Sequence, residues 1–368
     1  MQTFIILHFQ QPGELVSEGF PKDILKMEVI LNKISTYEDA KIAVVIPSYK
    51  VCDQILNVIN RIGSEVARIY VIDDCCPDNT GQFVKDNCGD PRITICYHER
   101  NQGVGGAVMS GYTAAIEDGA DIIVKLDGDG QMDPALLMNF VWPIMDGEAD
   151  YTKGNRFYDL EGIHVMPKAR IFGNAVLSLM TKLSSGYWDL FDPTNGYTAI
   201  HADVARHLPF EKIDRRYFFE TDMLFRLNIL RAVVVDVPMD AQYSDEVSGL
   251  KISKIIGEFF VKHIRNFSKR IFYNYYLRDM SLASLELPLG LLLLLFGSSF
   301  GAYHWLHSLQ NSIATPTGSV MLSVLPILMG FQLILSFLSY DIANVPRRLF
   351  HKLRRDVLYN QKVRGKIN

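Results

Sequence analysis

Between Glu286 and Asp341 the chain carries no Asp, Glu, Lys or Arg, and this gap limits its possible folds more than any other feature. It divides into two stretches, Leu287 to Leu306 and Val320 to Tyr340, each of about twenty mainly apolar residues, enough to cross roughly 30 Å of hydrocarbon as a helix. The polar piece from Gln310 to Gly318 reads as a short external turn. Lys269, Arg270 and Arg278 precede the first stretch; Arg347, Arg348, Lys352, Arg354 and Arg355 follow the second. Under the positive-inside rule both ends of this two-span hairpin lie in the cytoplasm. Two buried core helices of a soluble protein are the competing reading, and two long, adjacent, uncharged stretches argue against it.

The chain has 368 residues, which leaves room for a large domain before the hairpin. From Lys41 onward, continuous apolar runs end in polar residues: Ile42 to Ile46 at Pro47, Arg68 to Ile72 at Asp73-Asp74, and Asp121 to Leu126 at Asp127. A further run, Ile93 to Tyr97, precedes a Gly-rich turn, and helical patterns occupy Asp53–Ile62, Gly105–Glu117 and Pro134–Met145. Buried strands alternating with helices predict an α/β fold, an open and mostly parallel sheet with helices on both faces. In such a sheet, polar residues at the carboxyl ends of the strands lie where ligands bind. Further on, Arg170–Leu183 and Phe218–Leu230 read as helices, Asp192–Tyr197 as a turn and Val233–Val237 as a last strand. Lys251 to Arg278 mixes Phe259, Phe260, Ile264, Phe267 and Ile271 with seven Lys or Arg, suiting a helix on an anionic bilayer surface; an ordinary amphipathic core helix is the alternative.

The expected organisation is an N-terminal extension (1–40, with a short helix at Glu28–Ile34), an α/β domain (41–250), a juxtamembrane helical region (251–282), the transmembrane hairpin (283–343) and a basic cytoplasmic tail (344–368). No region is strongly basic and the net charge is −4, so nucleic acid is not an expected partner. Five cysteines, two of them adjacent, show no metal-ligand spacing and suit a reducing compartment. The apolar run Phe4–Phe9 is too short, and lacks the basic flank, for a signal peptide.

The sharpest chemical signal is Lys125-Leu-Asp127-Gly-Asp129-Gly-Gln131 after a buried strand. Two carboxylates on a glycine turn, two residues apart, suit one hard divalent cation, Mg²⁺ or Mn²⁺, that keeps substrate phosphates in its shell. Such an Asp-x-Asp also occurs in plain solvated turns. Its company favours chemistry: Asp73-Asp74 ends a parallel strand, so both pairs meet at one sheet edge. Asn101-Gln-Gly103-Val-Gly105-Gly106 precedes a helix whose amides suit phosphate.

Taken in order, Val44-Val-Ile-Pro47-Ser-Tyr49, Val71-Ile-Asp73-Asp74, Asn101-x-Gly103, Asp127-Gly-Asp129-Gly-Gln131, Gly154-Asn-Arg156-Phe157 and Asp192-Pro-Thr-Asn-Gly196-Tyr resemble the family 2 glycosyltransferases. Within them the chain is similar to the dolichol- or polyprenol-phosphate sugar synthases, including the subgroup with a trailing membrane hairpin. The resemblance implies a UDP- or GDP-linked sugar donor, a polyprenyl phosphate acceptor and inverting transfer. It puts Pro47, Tyr49, Ile72 and Asp74 at the nucleotide, with Asp74 reading the base. Asp73, Gly103 and Lys125 fall in the same donor-binding motifs. It also gives Asp127, Asp129 and Gln131 the metal and diphosphate, and Arg156 and Arg170 the acceptor phosphate, a role suited to guanidinium forks. Lys251 keeps its place in the stretch before the juxtamembrane helix, though the family's preceding Arg is absent from Glu246–Lys251, and Val51 stands where an acidic residue is usual. A membrane location follows, most simply a bacterial inner membrane with the catalytic domain cytoplasmic. Hairpins of this kind also pack with one another into homo-oligomers.

Three alternatives remain. A processive polysaccharide synthase usually has a Gln-x-x-Arg-Trp motif, and none of Trp142, Trp188 and Trp305 follows an Arg. A hydroxyl acceptor requires a general base, for which Glu220 and Asp222 are equal candidates. A catalytically silent, membrane-tethered nucleotide-sugar-binding protein keeps the fold without the chemistry.

Overall fold

The computed structural model describes residues 40–158, 168–239 and 252–354, with the turns 168–170 and 252–256 described by their backbone alone. The extension with its Glu28–Ile34 helix, the stretch Glu246–Lys251 and the chain after Arg354 lie outside the described residues, as does the side chain of Arg170. A compact unit begins at Lys41 and includes both the sheet and the hairpin.

Among the described residues seven strands form one sheet: β1 (Ile42–Ser48), β2 (Val66–Asp73), β3 (Ile93–Tyr97), β4 (Ile122–Lys125), β5 (Tyr151–Asn155), β6 (Thr198–His201) and β7 (Val234–Pro238), in the order β3-β2-β1-β4-β6-β5-β7. β1 to β4 are parallel, as their apolar runs predict, and β7 pairs parallel with β5. β5 and β6 were not expected, and β6 runs antiparallel to both β4 and β5. β3, predicted as a buried strand, is the half-exposed sheet edge.

Alternation along β1 divides the core. Ala43 and Val45 face a layer that includes Tyr112 of α3 (Val104–Glu117) and Met223 of α7 (Phe219–Leu230). Val44 and Ile46 face α1 (Cys52–Asn60) and α4 (Leu137–Met145) through Ile55, Val58 and Phe140. The sheet is therefore covered on both faces, with α2 (Thr80–Asn87), α5 (Lys168–Ser185) and the single turn α6 (Ala202–Ala205) completing the layers.

α8 (Ile252–Phe272) continues into a π turn, Tyr273–Arg278. Its two faces divide the two sequence readings between them. His263, Asn266 and Arg270 are buried on the α/β domain and Ile271 against the hairpin, whereas Phe260, Val261, Ile264 and Phe272 are exposed. α9 (Ala283–Asn311) and α10 (Thr317–Ala343) form the hairpin, with mean hydropathy 1.7 and 2.1 and mostly outward side chains. Small residues let the two helices touch: a Cβ on Gly330 would stand 2.7 Å from the Gly290 carbonyl, and Ser323 Oγ donates to the Gly297 carbonyl at 2.9 Å.

Both ends of the hairpin return to the α/β domain. Asp341, in the last turn of α10, is 3% exposed and takes a bidentate ion pair from buried Arg270 of α8, at 2.6 and 2.9 Å. Trp188 Nε1 and the Tyr275 hydroxyl donate to the same carboxylate at 2.8 and 2.5 Å. Arg270 thus serves this pair, and its guanidinium is not at the lipid surface. Beyond α10, the segment expected as a tail docks: Asp150 accepts from the amides of Phe350 and His351 and from His351 Nδ1 at 2.6 Å, and His351 stacks on His201 at 4.3 Å.

Candidate active site

The carboxyl ends of β1, β2 and β4 lie side by side, with Ser48 in register with Asp73 and Val45 with Lys125. A cleft of about 580 Å³ opens above them. Pro47 and Tyr49 line one wall, Asp74 and Gly103 a second, and Asp127 and Asp129 the floor near the end of β4. Tyr49 is 46% exposed, a flat apolar ring free to cover a base.

The neighbours Asp73 and Asp74 do different work, because adjacent residues at a strand end point opposite ways. Asp73 faces away from the cleft, its Oδ1 accepting from the Cys76 amide and its Oδ2 from the Gly81 amide, each at 2.7 Å. It holds the loop entering α2 and does not line the cleft. Ile72 is fully buried in the core beneath the cleft and does not reach it. Asp74 does line the cleft. It accepts from His98 Nδ1 and the Gln102 amide at 2.7 Å and the Gly103 amide at 2.8 Å, using three of a carboxylate's roughly four acceptor sites.

The glycine run was expected to offer its amides to phosphate, and the structure uses three of the run's amides internally. Besides the two amides held by Asp74, the Gly106 amide donates to the Arg215 carbonyl at 3.2 Å. The glycines are there for close passage: a Cβ on Gly105 would stand 2.5 Å from the Asp214 carbonyl, and one on Gly103 would strike the Arg215 carbonyl. Gly103 also has φ +83, a conformation side chains disfavour. The segment running past them carries Arg216 and Tyr217 into the cleft wall. Sequence reading passed over both; the signal was the Arg215-Arg216-Tyr217 triplet just ahead of a helix.

At the floor, Lys125 Nζ is buried and 2.7 Å from Asp127 Oδ1. Asp129 Oδ1 receives the Gln131 amide at 3.0 Å, so Gln131 shapes the turn through its backbone; its side chain is not among those lining the cleft. A Cβ on Gly196, from the Asp192–Tyr197 turn, would stand 2.9 Å from Asp127 Oδ2, so this turn must be bare to pass beside the carboxylate. Among the described residues no three His, Cys, Asp or Glu gather at a metal position. Two carboxylates facing an open cleft nonetheless fit a hard cation that completes its shell with substrate oxygens and water.

Glu220 and Asp222, equal candidates in the sequence, separate clearly. Asp222 is fully buried and accepts from the Asp214 amide, Arg226 and Asn266 Nδ2, tying α7 to α8; it is structural. Glu220 is close enough to feel the charges at the cleft floor. Burial pushes its carboxyl up to about 8, against the pull of Lys125 and with help from Asp127 and Asp214.

Arg156 is not brought into the cleft. Its Nε and Nη2 bind Asp192 at 2.7 and 2.8 Å, and its amide donates to the same carboxylate at 3.1 Å. Burial alone would raise Asp192, but hydrogen bonds and charge from Arg156, with Lys153 beyond, hold its carboxyl below the usual range. Asp192 has φ +49, a strained position for a non-glycine residue that the fork helps hold. Arg170 is placed only by its backbone in the first turn of α5, and Lys251 lies outside the described residues.

Residues 43–208 match the family described as Glycosyl transferase family 2. Over 233 residues the chain is 28% identical to a UDP-N-acetylglucosamine–dolichyl-phosphate N-acetylglucosaminyltransferase of Methanococcus voltae, covering 60% of this chain and 92% of that one. Over 203 residues it is 28% identical to an undecaprenyl-phosphate mannosyltransferase of Micrococcus luteus, covering 54% and 82%. Among solved structures, glucosyl-3-phosphoglycerate synthase from Mycobacterium tuberculosis, in complex with Mn²⁺, UDP and glucosyl-3-phosphoglycerate, aligns with 17% identity and a TM-score of 0.49, over 72% of this chain and 86% of that one.

Proposed function

We propose that this family 2 glycosyltransferase domain, tied by its last helix to a membrane hairpin, moves a sugar from a nucleotide-linked donor onto a polyprenyl phosphate at the cytoplasmic membrane face. The observation that carries this reading is the pair Asp127 and Asp129 on the floor of a cleft walled by Tyr49 and Asp74. The relatives' names, one a dolichyl-phosphate and one an undecaprenyl-phosphate transferase, support the acceptor class. The Lys and Arg flanks of the hairpin support the cytoplasmic side. A bacterial inner membrane and a UDP or GDP donor belong to the same proposal.

Asp127 and Asp129 would hold a Mg²⁺ or Mn²⁺ ion, which as a Lewis acid stabilises the leaving diphosphate. Lys125, paired with Asp127 at 2.7 Å, holds that carboxylate aimed at the cleft. Tyr49 covers the base, and Asp74, fixed by three donors, accepts from its edge. An acceptor phosphate is already ionised near neutral pH and attacks the anomeric carbon without a general base, giving inversion in one in-line displacement. The protein's share of catalysis is then positioning and charge stabilisation. Arg156, held by Asp192, is the proposed guide for the acceptor phosphate on the approach from the membrane.

A second reading has its own observation. Glu220, beside Lys125 and Asp127 and pushed up to about 8, suits a general base for a hydroxyl acceptor. One experiment separates the two: the purified full-length protein with Mn²⁺, a panel of UDP- and GDP-sugars, and polyprenyl phosphate, polyprenol or diacylglycerol, with lipid products read by mass spectrometry. Transfer confined to polyprenyl phosphate is expected, with Arg156→Ala raising the acceptor requirement about ten- to a hundredfold and leaving donor affinity unchanged. Equal transfer to the neutral lipids would refute the phosphate acceptor in favour of Glu220 as base.

A further inference from the structure

We infer that Arg216 is a binding residue for the donor's diphosphate, a cation lining the same cleft as Asp127 and Asp129 on a segment that the glycines at the start of α3 let pass close. This rests on the donor reading above. Three acidic side chains, Asp74, Asp127 and Asp129, line the cleft, and among the described residues lining it Arg216 is the only cation. A nucleoside diphosphate carries its charge at the phosphates, and a divalent ion held by Asp127 and Asp129 would leave some of those anionic oxygens for a second cation in the same cleft. A guanidinium fork there meets them with two donors at once.

The placement is built from several directions. The Arg216 stem packs against Gly103, where a Cβ would be 3.0 Å from Arg216 Cγ. Its amide is fixed by Asp214 Oδ1 at 3.0 Å, while Asp214 Oδ2 is held by Lys262 Nζ of α8 at 2.5 Å. Asp222 fixes the Asp214 amide at 3.0 Å, and Arg215 Nη1 reaches Gln102 Oε1 at 3.0 Å. The backbone of Arg216 is therefore rigid, while its side chain is solvent-accessible above the cleft. Asp74 anchors Gln102 and Gly103 from the other side, so one carboxylate on the base wall fixes the loop against which the cation rests.

Its test is binding, independent of turnover. UDP and GDP, each with Mn²⁺, and the nucleosides uridine and guanosine are titrated calorimetrically against full-length wild type, Arg216→Met and Arg216→Lys. Met keeps the stem that packs on Gly103 and removes the charge. The expected result is a loss of about ten- to a hundredfold for the diphosphate with Arg216→Met, no change for the nucleoside, and partial recovery with Arg216→Lys. Wild-type diphosphate affinity in Arg216→Met would overturn the role of Arg216 while leaving the donor reading intact. Equal losses for nucleoside and diphosphate would also overturn it, marking Arg216 as scaffolding. Failure of the wild type to bind either diphosphate would refute the donor reading and this inference together.

Discussion

Replacing Asp341 by Ala should cost this protein more stability than any other single truncation in the hairpin. Arg270 is 1% exposed, and its Nη1 and Nη2 both bind Asp341, with one further bond from Nη2 to the Leu183 carbonyl at 2.8 Å. Removing the carboxylate strands a buried guanidinium and deprives Trp188 Nε1 and the Tyr275 hydroxyl of their acceptor. Breaking a buried pair from one side costs about 3–5 kcal/mol, because the remaining charge stays desolvated. For a chain of this size that is a fall in Tm of roughly 5–15 °C, extrapolating from smaller domains. The pair as a whole is worth far less than its halves, so Asp341→Leu combined with Arg270→Met should recover most of the loss. Thermal unfolding of the wild type, Asp341→Leu, Arg270→Met and the double variant in one detergent closes the double-mutant cycle. Two single losses below about 1 kcal/mol, or a double variant equal to their sum, would refute the claim that this pair fastens the hairpin to the domain.

Asp129→Asn should lower transfer a hundredfold or more while leaving Tm within about 2 °C, and chelation should do the same to the wild type; full activity of the variant in chelator would remove the metal from the proposal. Stability should fall on acidification from about pH 6.5 to 4: burial pushes His201 and His263 down to about 4, so the native state excludes protons that the unfolded chain binds. At pH 5 this amounts to on the order of 1–2 kcal/mol per histidine, and a Tm unchanged between pH 7 and 5 would contradict it. A reporter active only outside the cytoplasm should be silent after Asn368 and active near Ser312, and the opposite pattern would overturn the orientation.

Legibility followed how far each residue obeyed a local rule. β1, β2 and β4 were readable because strands covered on both faces become unbroken apolar runs, and the uncharged hairpin was readable for a similar reason. β5 was missed because it carries Lys153, which is buried only thanks to Asp236 and the Phe191 and Asp192 carbonyls, partners far away in sequence. β6, four residues long, gave no periodicity to detect. At the cleft, residue type located Asp127 and Asp129 but did not separate Asp73 from Asp74, or Glu220 from Asp222, since each distinction depends on which way a side chain points. The glycines of α3 were misread because room for a phosphate and room for a neighbouring backbone have the same composition. Arg216 was missed for the complementary reason: charged residues before a helix usually mean only solvent.

The return of residues 344–354 onto the sheet has a consequence for biosynthesis. Asp150 waits for His351, 201 positions later, and Arg270 waits for Asp341. At about 5–20 residues per second, the first of these gaps lasts roughly 10–40 s, during which the whole hairpin is synthesised. A version of the chain ending at Leu282 would keep the cleft residues yet lose Asp341, the Asn344 cap on Arg231 and the cover over His201. The α/β domain therefore closes its last polar contacts only after the whole hairpin has been synthesised.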